Sequence, residues 1–240
     1  MGIDSLNSVA TNMTALAKQY QAISHNIANS NTAGFKKSVS RFENALSQAG
    51  VETKDLSVSN KLKIDFTQGN LHATGRDFDF AISGKGFFQI NTPNGPVYSR
   101  AGNFKTNRNG NLIDNLGRII ASDAGPITVP NNVSASEIKV SEDGTVYAKN
   151  QPLGKLRIVE FANAENLKPI GAGCYKTEGN AAPRPAENAK VLQGYSEQSN
   201  VNAVEELVNL IKVNRLYQAN AKSITLHDEK AKSLLRVANR

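Results

Sequence analysis

The chain has 240 residues, of which 39% are hydrophobic and 20% charged, a composition typical of a globular protein of one or two domains. Its 28 Lys and Arg exceed its 21 Asp and Glu, but this surplus is spread along the chain without a basic cluster or stripe, so no nucleic-acid partner is predicted. One cysteine, Cys174, excludes internal disulfides and a cysteine-based zinc site, and no apolar run approaches the roughly 18 residues of a membrane span, so no membrane insertion is predicted.

A heptad pattern near the start predicts an amphipathic helix over residues 5–29, ended by a polar run that reaches Gly34. Between Ser5 and Asn31 the only charged side chain is Lys18, whereas a face turned to water normally carries Lys and Glu. We therefore expect this helix to meet other protein chains or a neutral channel, and to become ordered on assembly. The apolar seam consists of Leu6, Val9, Met13, Leu16, Tyr20, Ile23 and Ile27.

The middle of the chain has the pattern of an antiparallel β domain. Residues 35–69 are predicted to form an extended linker with a strand or two, and residues 70–199 a β-rich domain. Asn94-Gly95, Asn109-Gly110 and Asp143-Gly144 are signals for hairpin turns between short apolar runs. Many short strands separated by such turns favour a barrel or a sandwich.

A second helix is predicted from about residue 203 to about residue 237. It carries two apolar stripes, which imply more than one helical neighbour. The fold class is therefore predicted as α+β, with segments 1–34 and 200–240 paired as a coiled coil and the β domain inserted between them. The apolar positions expected to form assembly contacts on this helix are Val204, Leu207, Leu210, Ile211, Val213, Tyr217, Ile224 and Leu234, and the seam also contains Asn220 and His227.

Catalytic, metal and cofactor sites are not predicted. The histidines His25, His72 and His227 lie far apart and lack metal-ligand spacing, and no G-x-S-x-G elbow is present. The run Gly84-Lys85-Gly86 lacks the phosphate-loop pattern and precedes a strand instead of a helix.

One carboxylate pair and one thiol are weighed as catalytic candidates and set aside. Asp77 and Asp79 flank Phe78 on one strand face, in what the sequence indicates is an exposed edge. Cys174 lies in a turn of small residues, and a catalytic thiol would also need a histidine close to it in the fold, which the sequence does not show. Structural roles are favoured for all three side chains.

Three motifs, in order along the chain, carry a resemblance to the bacterial flagellar rod and hook family. Residues 24–36 are similar to N-N-I-A-N-x-N-T-x-G-F-K. Residues 81–88 and 97–104 resemble G-x-G-F-F and Y-T-R-x-G-x-F. Residues 193–211 match Q-G-x-x-E-x-S-N-V-x-x-V-E-E-M-x-x-M-I. Together the motifs span nearly the whole chain.

Departures from these motifs are few. His25 stands where the family commonly has Asn, and Ala33 where it commonly has Pro or Asn. The matching positions are Asn26, Ile27, Ala28, Asn29, Asn31, Thr32, Gly34, Phe35, Gly84, Gly86, Phe87, Phe88, Ser199, Asn200, Val201, Glu205 and Glu206.

The resemblance implies a structural subunit of the flagellar basal-body rod, not an enzyme. Such a subunit would polymerise helically through its terminal helices, with copies of itself and other rod or hook subunits as partners. Export would use the flagellar type III apparatus, and residues 1–11 indeed lack the basic and apolar regions of a cleaved secretory signal. Residues 125–130 are similar to proximal-rod members and residues 204–211 equally to the distal-rod protein, so both remain open.

Two functions of other classes compete with the structural interpretation. A hydrolase would need a paired acid site or a metal-ligand set, and the sequence shows neither. An adhesive or chaperone-like binding module would use the β domain as the binder and the helices as an oligomerising stalk.

Overall fold

The computed structural model describes residues 3–44, 58–179 and 181–238, which form two compact units. The first unit consists of the described parts of segments 1–28, 38–65 and 202–240. The second unit consists of residues 29–37 and the described parts of 66–201. Both units are therefore built from segments distant in sequence.

Two α-helices and eighteen strands make up the described chain, with 3₁₀ turns at Ala135–Glu137 and Ala164–Asn166. The helices are α1 (Ile3–Ala28) and α2 (Ala203–Ala238). The strands are β1 (Ser38–Asn44), β2 (Val58–Ile64), β3 (Leu71–Ala73), β4 (Phe80–Ser83), β5 (Phe87–Asn91), β6 (Val97–Ser99), β7 (Lys105–Thr106), β8 (Leu112–Ile113), β9 (Ile119–Ile120), β10 (Ile138–Val140), β11 (Thr145–Ala148), β12 (Gln151–Lys155), β13 (Ile158–Glu160), β14 (Leu167–Gly171), β15 (Cys174–Thr177), β16 (Arg184–Pro185), β17 (Lys190–Gln193) and β18 (Tyr195–Glu197).

The first unit contains α1, α2 and an antiparallel hairpin. Strand β1 pairs with β2 from Ser38 opposite Ile64 to Asn44 opposite Val58, and residues 45–57 between them lie outside the described part. This hairpin occupies much of the segment expected to be a linker. Helix α1 contacts α2 and both strands, so its buried face is divided between two kinds of neighbour.

The predicted coiled coil is wrong. Leu16 and Ile23 of α1 pack with Val213 of α2 in one small cluster, joined by the partly buried Ile27 and Leu210. Farther along α2 the apolar side chains Leu216, Tyr217 and Leu226 are exposed. A coiled coil needs one continuous seam on both helices, but α1 packs against the hairpin as well as α2, and seven large apolar side chains in the described part of α2 are exposed.

The second unit is organised around one apolar core. Its largest sheet has the strand order β14-β15-β6-β5-β9-β8-β7, with β13 pairing both β5 and β16. Aromatic rings of Phe80, Phe88 and Phe104 meet edge to face at centroid distances of 5.1–5.7 Å. Further fully buried members of the core include Ile82, Ile90, Ile120, Ile127 and Ile138.

The predicted barrel or sandwich is also wrong. The largest sheet ends at β14 and β7 and does not close, and the remaining strands of the unit form one three-stranded and two two-stranded sheets. The strands are two to five residues long, and the pairing of β14 with β15 shifts register between Pro169 and Gly171. Short strands interrupted by proline and glycine cannot build the long staggered ladder that closure requires.

The end of the second unit pairs with its beginning. Strand β17 runs antiparallel to β4, with Val191 opposite Ile82, and β18 runs antiparallel to β3, with Glu197 opposite Leu71. These pairings bring the third sequence motif back to the second. Within the described chain, neither helix has an apolar stretch of the length needed to cross a membrane.

Candidate assembly surface and buried polar clusters

An exposed apolar stripe occupies the first two turns of α2. It is formed by Val204, Leu207, Val208 and Ile211, and we call it the α2 stripe; Val204 is 71% exposed. The spacing of three and four residues places these side chains on one face of the helix. At 3.6 residues per turn, that face lies about 180° around the helix from Val213, which is 3% exposed and packs on α1. The α2 stripe therefore faces solvent, whereas the predicted seam that contains Val213 is buried at that residue.

The seam residues expected to form assembly contacts divide into four groups. Leu16, Ile23 and Val213 are buried within the first unit. Val9, Met13, Ile27, Leu210 and Ile224 are half-buried. Tyr20, Val204, Leu207, Ile211 and Tyr217 are exposed. The side chains of Leu6 and Leu234 lie outside the described part of the structure.

The buried face of α1 is displaced from the predicted heptad seam. Ala15, Ala22 and Asn26 are buried beside Leu16 and Ile23, whereas Tyr20 of the seam is 47% exposed. Small side chains at positions 15 and 22 allow close packing on this flank. The sequence pattern missed this flank because alanine is apolar but too small to mark a stripe.

A buried amide connects three segments of the first unit. Asn26, 1% exposed, donates from Nδ2 to the Ser38 carbonyl at 2.9 Å and to Glu206 Oε2 at 3.1 Å. Its Oδ1 accepts from the Ser38 amide at 2.8 Å. Glu206 is also 1% exposed, and we call these three residues the Asn26 cluster. The cluster joins the first and third sequence motifs.

The start of α2 orients Glu206. The Asn202 side chain accepts from the amides of Val204 at 3.1 Å and Glu205 at 3.3 Å, and the Asn202 carbonyl accepts from the Glu206 amide at 3.0 Å. This N-cap satisfies amides that the first turn leaves free, and it fixes which side chains face inward. Glu205 points to solvent and Glu206 inward.

Three buried charges meet in the second unit, and we call Lys36, Arg100 and Glu197 the Glu197 cluster. Lys36 Nζ lies 2.6 Å from Glu197 Oε1, and Arg100 Nε lies 2.9 Å from Glu197 Oε2. All three side chains are at most 4% exposed. Each comes from a different sequence motif. Burying such charges is tolerable only when they are paired and hydrogen-bonded.

Main-chain groups complete the Glu197 cluster. Lys36 Nζ also donates to the Thr67 carbonyl at 2.6 Å, and the Gly69 amide donates to Glu197 Oε1 at 3.0 Å. Because three groups share one carboxylate, Glu197 is the member on which the others depend.

Arg100 also holds the Gly84-Lys85-Gly86 turn. Its Nη1 donates to the Gly86 carbonyl at 2.6 Å and its Nη2 to the Gly84 carbonyl at 2.9 Å. Its guanidinium lies 5.9 Å from the centre of the Phe87 ring. Burial lowers the pKa of the Arg100 guanidinium, while the charge of the Glu197 carboxylate opposes this shift. The Gly84-Lys85-Gly86 turn, for which no phosphate site was predicted, therefore has its Gly84 and Gly86 carbonyl groups bound from inside the protein.

The first motif reaches this cluster through a tight loop. The Gly34 amide donates to the Glu197 carbonyl at 2.8 Å, and Gly34 has a φ of +68°. A Cβ atom at Gly34 would lie 2.3 Å from the Ala101 nitrogen, so only glycine fits without a shift of the backbone. In the same loop, Thr32 Oγ1 donates to Asn29 Oδ1 at 3.2 Å. Phe35, which follows Gly34, is 6% exposed.

The remaining motif positions have mixed environments. Asn200 Oδ1 accepts from the Lys37 amide at 2.8 Å, and its Nδ2 donates to Thr67 Oγ1 at 3.0 Å. Ser199 Oγ accepts from the Val201 amide at 3.2 Å. The motif residue Phe88 is fully buried in the core. Ala28 and Asn31 are exposed.

The catalytic candidates have structural surroundings. The carboxylate of Asp79 accepts from Arg76 Nε at 2.8 Å and from Asn103 Nδ2 at 3.1 Å. Cys174 is buried, with its sulfur 2.9 Å from Arg118 Nη2. Among the side chains that the structure describes, no group of three or more His, Cys, Asp or Glu is arranged to hold a metal ion.

The residues that sequence reasoning did not select are Lys36, Arg100 and Glu197. All three lie inside the matched motifs, but they were not singled out as site residues. A usable signal was present, because each of these charged residues lies within two positions of an aromatic residue, Phe35, Tyr98 or Tyr195, and charges in such apolar surroundings need partners.

Comparisons with known proteins agree with the order of the motifs. Residues 81–148 match the family described as "Flagellar hook protein FlgE/F/G D1 domain", and residues 192–237 match "Flagellar basal body rod FlgEFG protein C-terminal". The chain is 35% identical to a flagellar basal-body rod protein FlgG of Buchnera aphidicola (subsp. Acyrthosiphon pisum) over 97% of this chain and 98% of that protein. It is 32% identical to FlgG of Bacillus subtilis over 94% and 95%. It is also 32% identical to FlgF of Mesorhizobium japonicum over 91% and 90%.

Proposed function

Because this chain belongs to the FlgE/F/G family of flagellar hook and basal-body rod proteins, we propose that it polymerises helically through exposed faces of its terminal helices. Family membership makes the protein a structural subunit of the flagellar basal-body rod, not an enzyme. Its partners are further copies of this chain and other rod or hook subunits.

The α2 stripe is the observation that carries the proposal. Four branched apolar side chains stand in solvent on a helix whose opposite face already packs within its own unit. Exposed apolar surface concentrated on one helix face is typical of an interaction site. The seam residues Tyr20 and Tyr217 are exposed as well, but Tyr217 lies about 140° around α2 from Val204 and is not part of the α2 stripe.

The exposed side of α1 suits a protein contact. Thr11, Asn12, Thr14 and Gln21 are exposed and uncharged, and Lys18 is the only charged side chain between residues 5 and 31. Uncharged polar side chains can be buried against another subunit at a lower cost than Lys or Glu, which lose a strongly hydrated charge. We propose that the seam residues Leu6 and Leu234 also form contacts between subunits.

Self-assembly of purified full-length chain tests the proposal directly. Polymer formation is followed by light scattering and electron microscopy as the protein concentration rises. Leu207→Glu, in the α2 stripe, is expected to abolish polymers because each contact would bury an unpaired carboxylate. Circular dichroism at 222 nm checks that the helices persist.

Leu216→Glu is the matched control for this experiment. Leu216 is 54% exposed and Leu207 is 48% exposed, and both are leucines on the same helix. Leu216 lies on a different face, about 120° from Val204 at 3.6 residues per turn. The proposal requires loss of polymers in Leu207→Glu and their retention in Leu216→Glu. Equal behaviour of the two variants would refute assembly through the α2 stripe.

Export through the flagellar type III apparatus without signal cleavage is the second part of the proposal. It rests on family membership. To test export, the tagged chain is expressed in flagellated cells with and without a functional export apparatus. The intact mass of the exported protein is then measured. We expect export only with the apparatus, and an N-terminus not shortened by a signal peptidase. Export without the apparatus, or a chain missing its first residues, would contradict this part.

A further inference from the structure

We infer that the Glu197 cluster is a latch that holds two segments of the second unit, residues 29–37 and β18, only when both are in place. The inference concerns the second unit alone and does not depend on polymerisation. Lys36 in the first segment and Glu197 in the second are 161 positions apart in the chain. Residues 29–37 directly follow α1, and β18 precedes α2. A latch of this kind makes the order of one segment conditional on the other.

The charge balance of the cluster supports mutual dependence. Two cations, Lys36 and Arg100, share one carboxylate, and all three side chains are shielded from water. If β18 leaves, both cations lose the carboxylate that they share. If residues 29–37 leave, Glu197 keeps Arg100 and the Gly69 amide. Departure of β18 is therefore the more costly event.

Each of the two segments is anchored partly by the other. Strand β18 pairs with β3 over three residues, and the Gln198 amide donates to the Asn70 carbonyl at 2.8 Å. The Gly34 amide donates directly to the Glu197 carbonyl, so one of the loop's anchors is β18 itself. The segments thus contact each other as well as the rest of the unit.

The core of the second unit does not need the latch. Its buried apolar side chains, including Ile82, Phe88 and Ile90, come from strands outside both segments. The Gln89 amide, which donates to the Arg157 carbonyl at 3.1 Å, reports on this core. Opening of the latch should therefore expose Gly34 and Gln198 while Gln89 stays protected, because parts of a protein open with different free energies.

Native-state amide hydrogen exchange on the full-length chain tests the latch. The variants are Lys36→Met and Glu197→Gln, and Lys168→Met is the matched control because the Lys168–Glu178 pair is exposed. Removing one partner of a buried ion pair costs about 3–5 kcal/mol, so Glu197→Gln should speed exchange at Gly34 and Gln198 by roughly 140- to 3,700-fold. Lys36→Met should speed it at both by about tenfold, because Glu197 keeps its other partners.

The decisive observation is the exchange rate of the Gln198 amide in Lys36→Met, since Gln198 directly follows β18, the segment that was not changed. Faster exchange at Gly34 with unchanged exchange at Gln198 would overturn the inference, because the segments would then be independent. Acceleration of Gln89 by the same factor as Gly34 would also overturn it, because the cluster would then support the whole core. Should Glu197→Gln fail to fold, Lys36→Met against Lys168→Met decides the question alone.

Discussion

Replacing Gly34 by alanine tests whether the close approach of the first motif to the Ala101 backbone matters. Two physical effects are combined at this position, a left-handed backbone and a lack of space. Gly34 has a φ of +68°, and its Cβ would lie 2.3 Å from the Ala101 nitrogen and 2.5 Å from the Arg100 carbonyl carbon. Gly75 separates the two effects, because its φ is +70° and nothing lies within 4 Å of its Cβ position.

The expected magnitudes differ between these two glycines. Gly75→Ala should cost only the left-handed penalty of an ordinary residue, about 1–2 kcal/mol. Gly34→Ala adds an overlap with backbone atoms, for which overpacking costs about 1–3 kcal/mol. It also weakens the 2.8 Å bond from the Gly34 amide to Glu197, whose net value is about 0.5–1.5 kcal/mol. The total for Gly34→Ala is about 3–6 kcal/mol on these scales.

Urea unfolding of the full-length chain measures the difference. Four of the six tyrosines, Tyr98, Tyr147, Tyr175 and Tyr195, belong to the second unit, so near-ultraviolet circular dichroism follows that unit. At equal slope, the midpoint of Gly34→Ala should fall well below that of Gly75→Ala. Unfolding free energies of the two variants within about 0.5 kcal/mol of each other, the scatter of surface substitutions, would refute the close-approach argument.

Three further predictions concern buried groups. Asn26→Ala should lower the unfolding free energy of the first unit by about 2–4 kcal/mol in thermal unfolding, because the amide's bonds to Glu206 and the Ser38 main chain are lost; Asn12→Ala, at an exposed site on α1, should change little. Burial raises the pKa of the Tyr175 hydroxyl far above its usual value of 10.0, so in an absorbance titration at 295 nm this ring should ionise only on unfolding, and stability should decline as pH rises above that value. Phe88→Ala should cost about 3–5 kcal/mol in urea unfolding, because it leaves a cavity among the core rings, and a loss below about 1 kcal/mol would contradict the packing described.

Local patterns in the sequence predicted the elements whose causes are local. The heptad spacing indicated helices at both ends of the chain, and α1 and α2 lie there. Asn94-Gly95, Asn109-Gly110 and Asp143-Gly144 predicted turns, and each lies between antiparallel strands. Turns and helix periodicity depend on neighbours a few residues away, so both can be predicted directly from the sequence.

The partners of those elements could not be predicted in the same way. The heptad seam of α1 predicted a coiled coil with the second helix, but the hairpin of β1 and β2 also packs on α1, and the buried face of α1 includes Ala15 and Ala22. Likewise, alternating apolar residues indicated strands without indicating how many would join one sheet. Sheet closure depends on strand length and register, which long-range pairing decides.

The candidate site was predictable in position but not in its contacts. The resemblance selected three segments, and these segments supply the buried residues of both polar clusters. It did not select Lys36, Arg100 and Glu197 as a group, since the pairing of one carboxylate with two cations joins residues up to 161 positions apart. From their charge alone, these residues would be expected to lie at the protein surface.

The adjacent residues Glu205 and Glu206 at the start of α2 illustrate what the sequence determines and what only the tertiary structure decides. By itself, the sequence determined the family, both helices and the motif that contains Glu205 and Glu206. Only the tertiary structure decided that Glu206 is 1% exposed while Glu205 faces solvent. The physical reason is that a buried carboxylate needs donors, and Glu206 receives one from Asn26, 180 residues earlier in the chain.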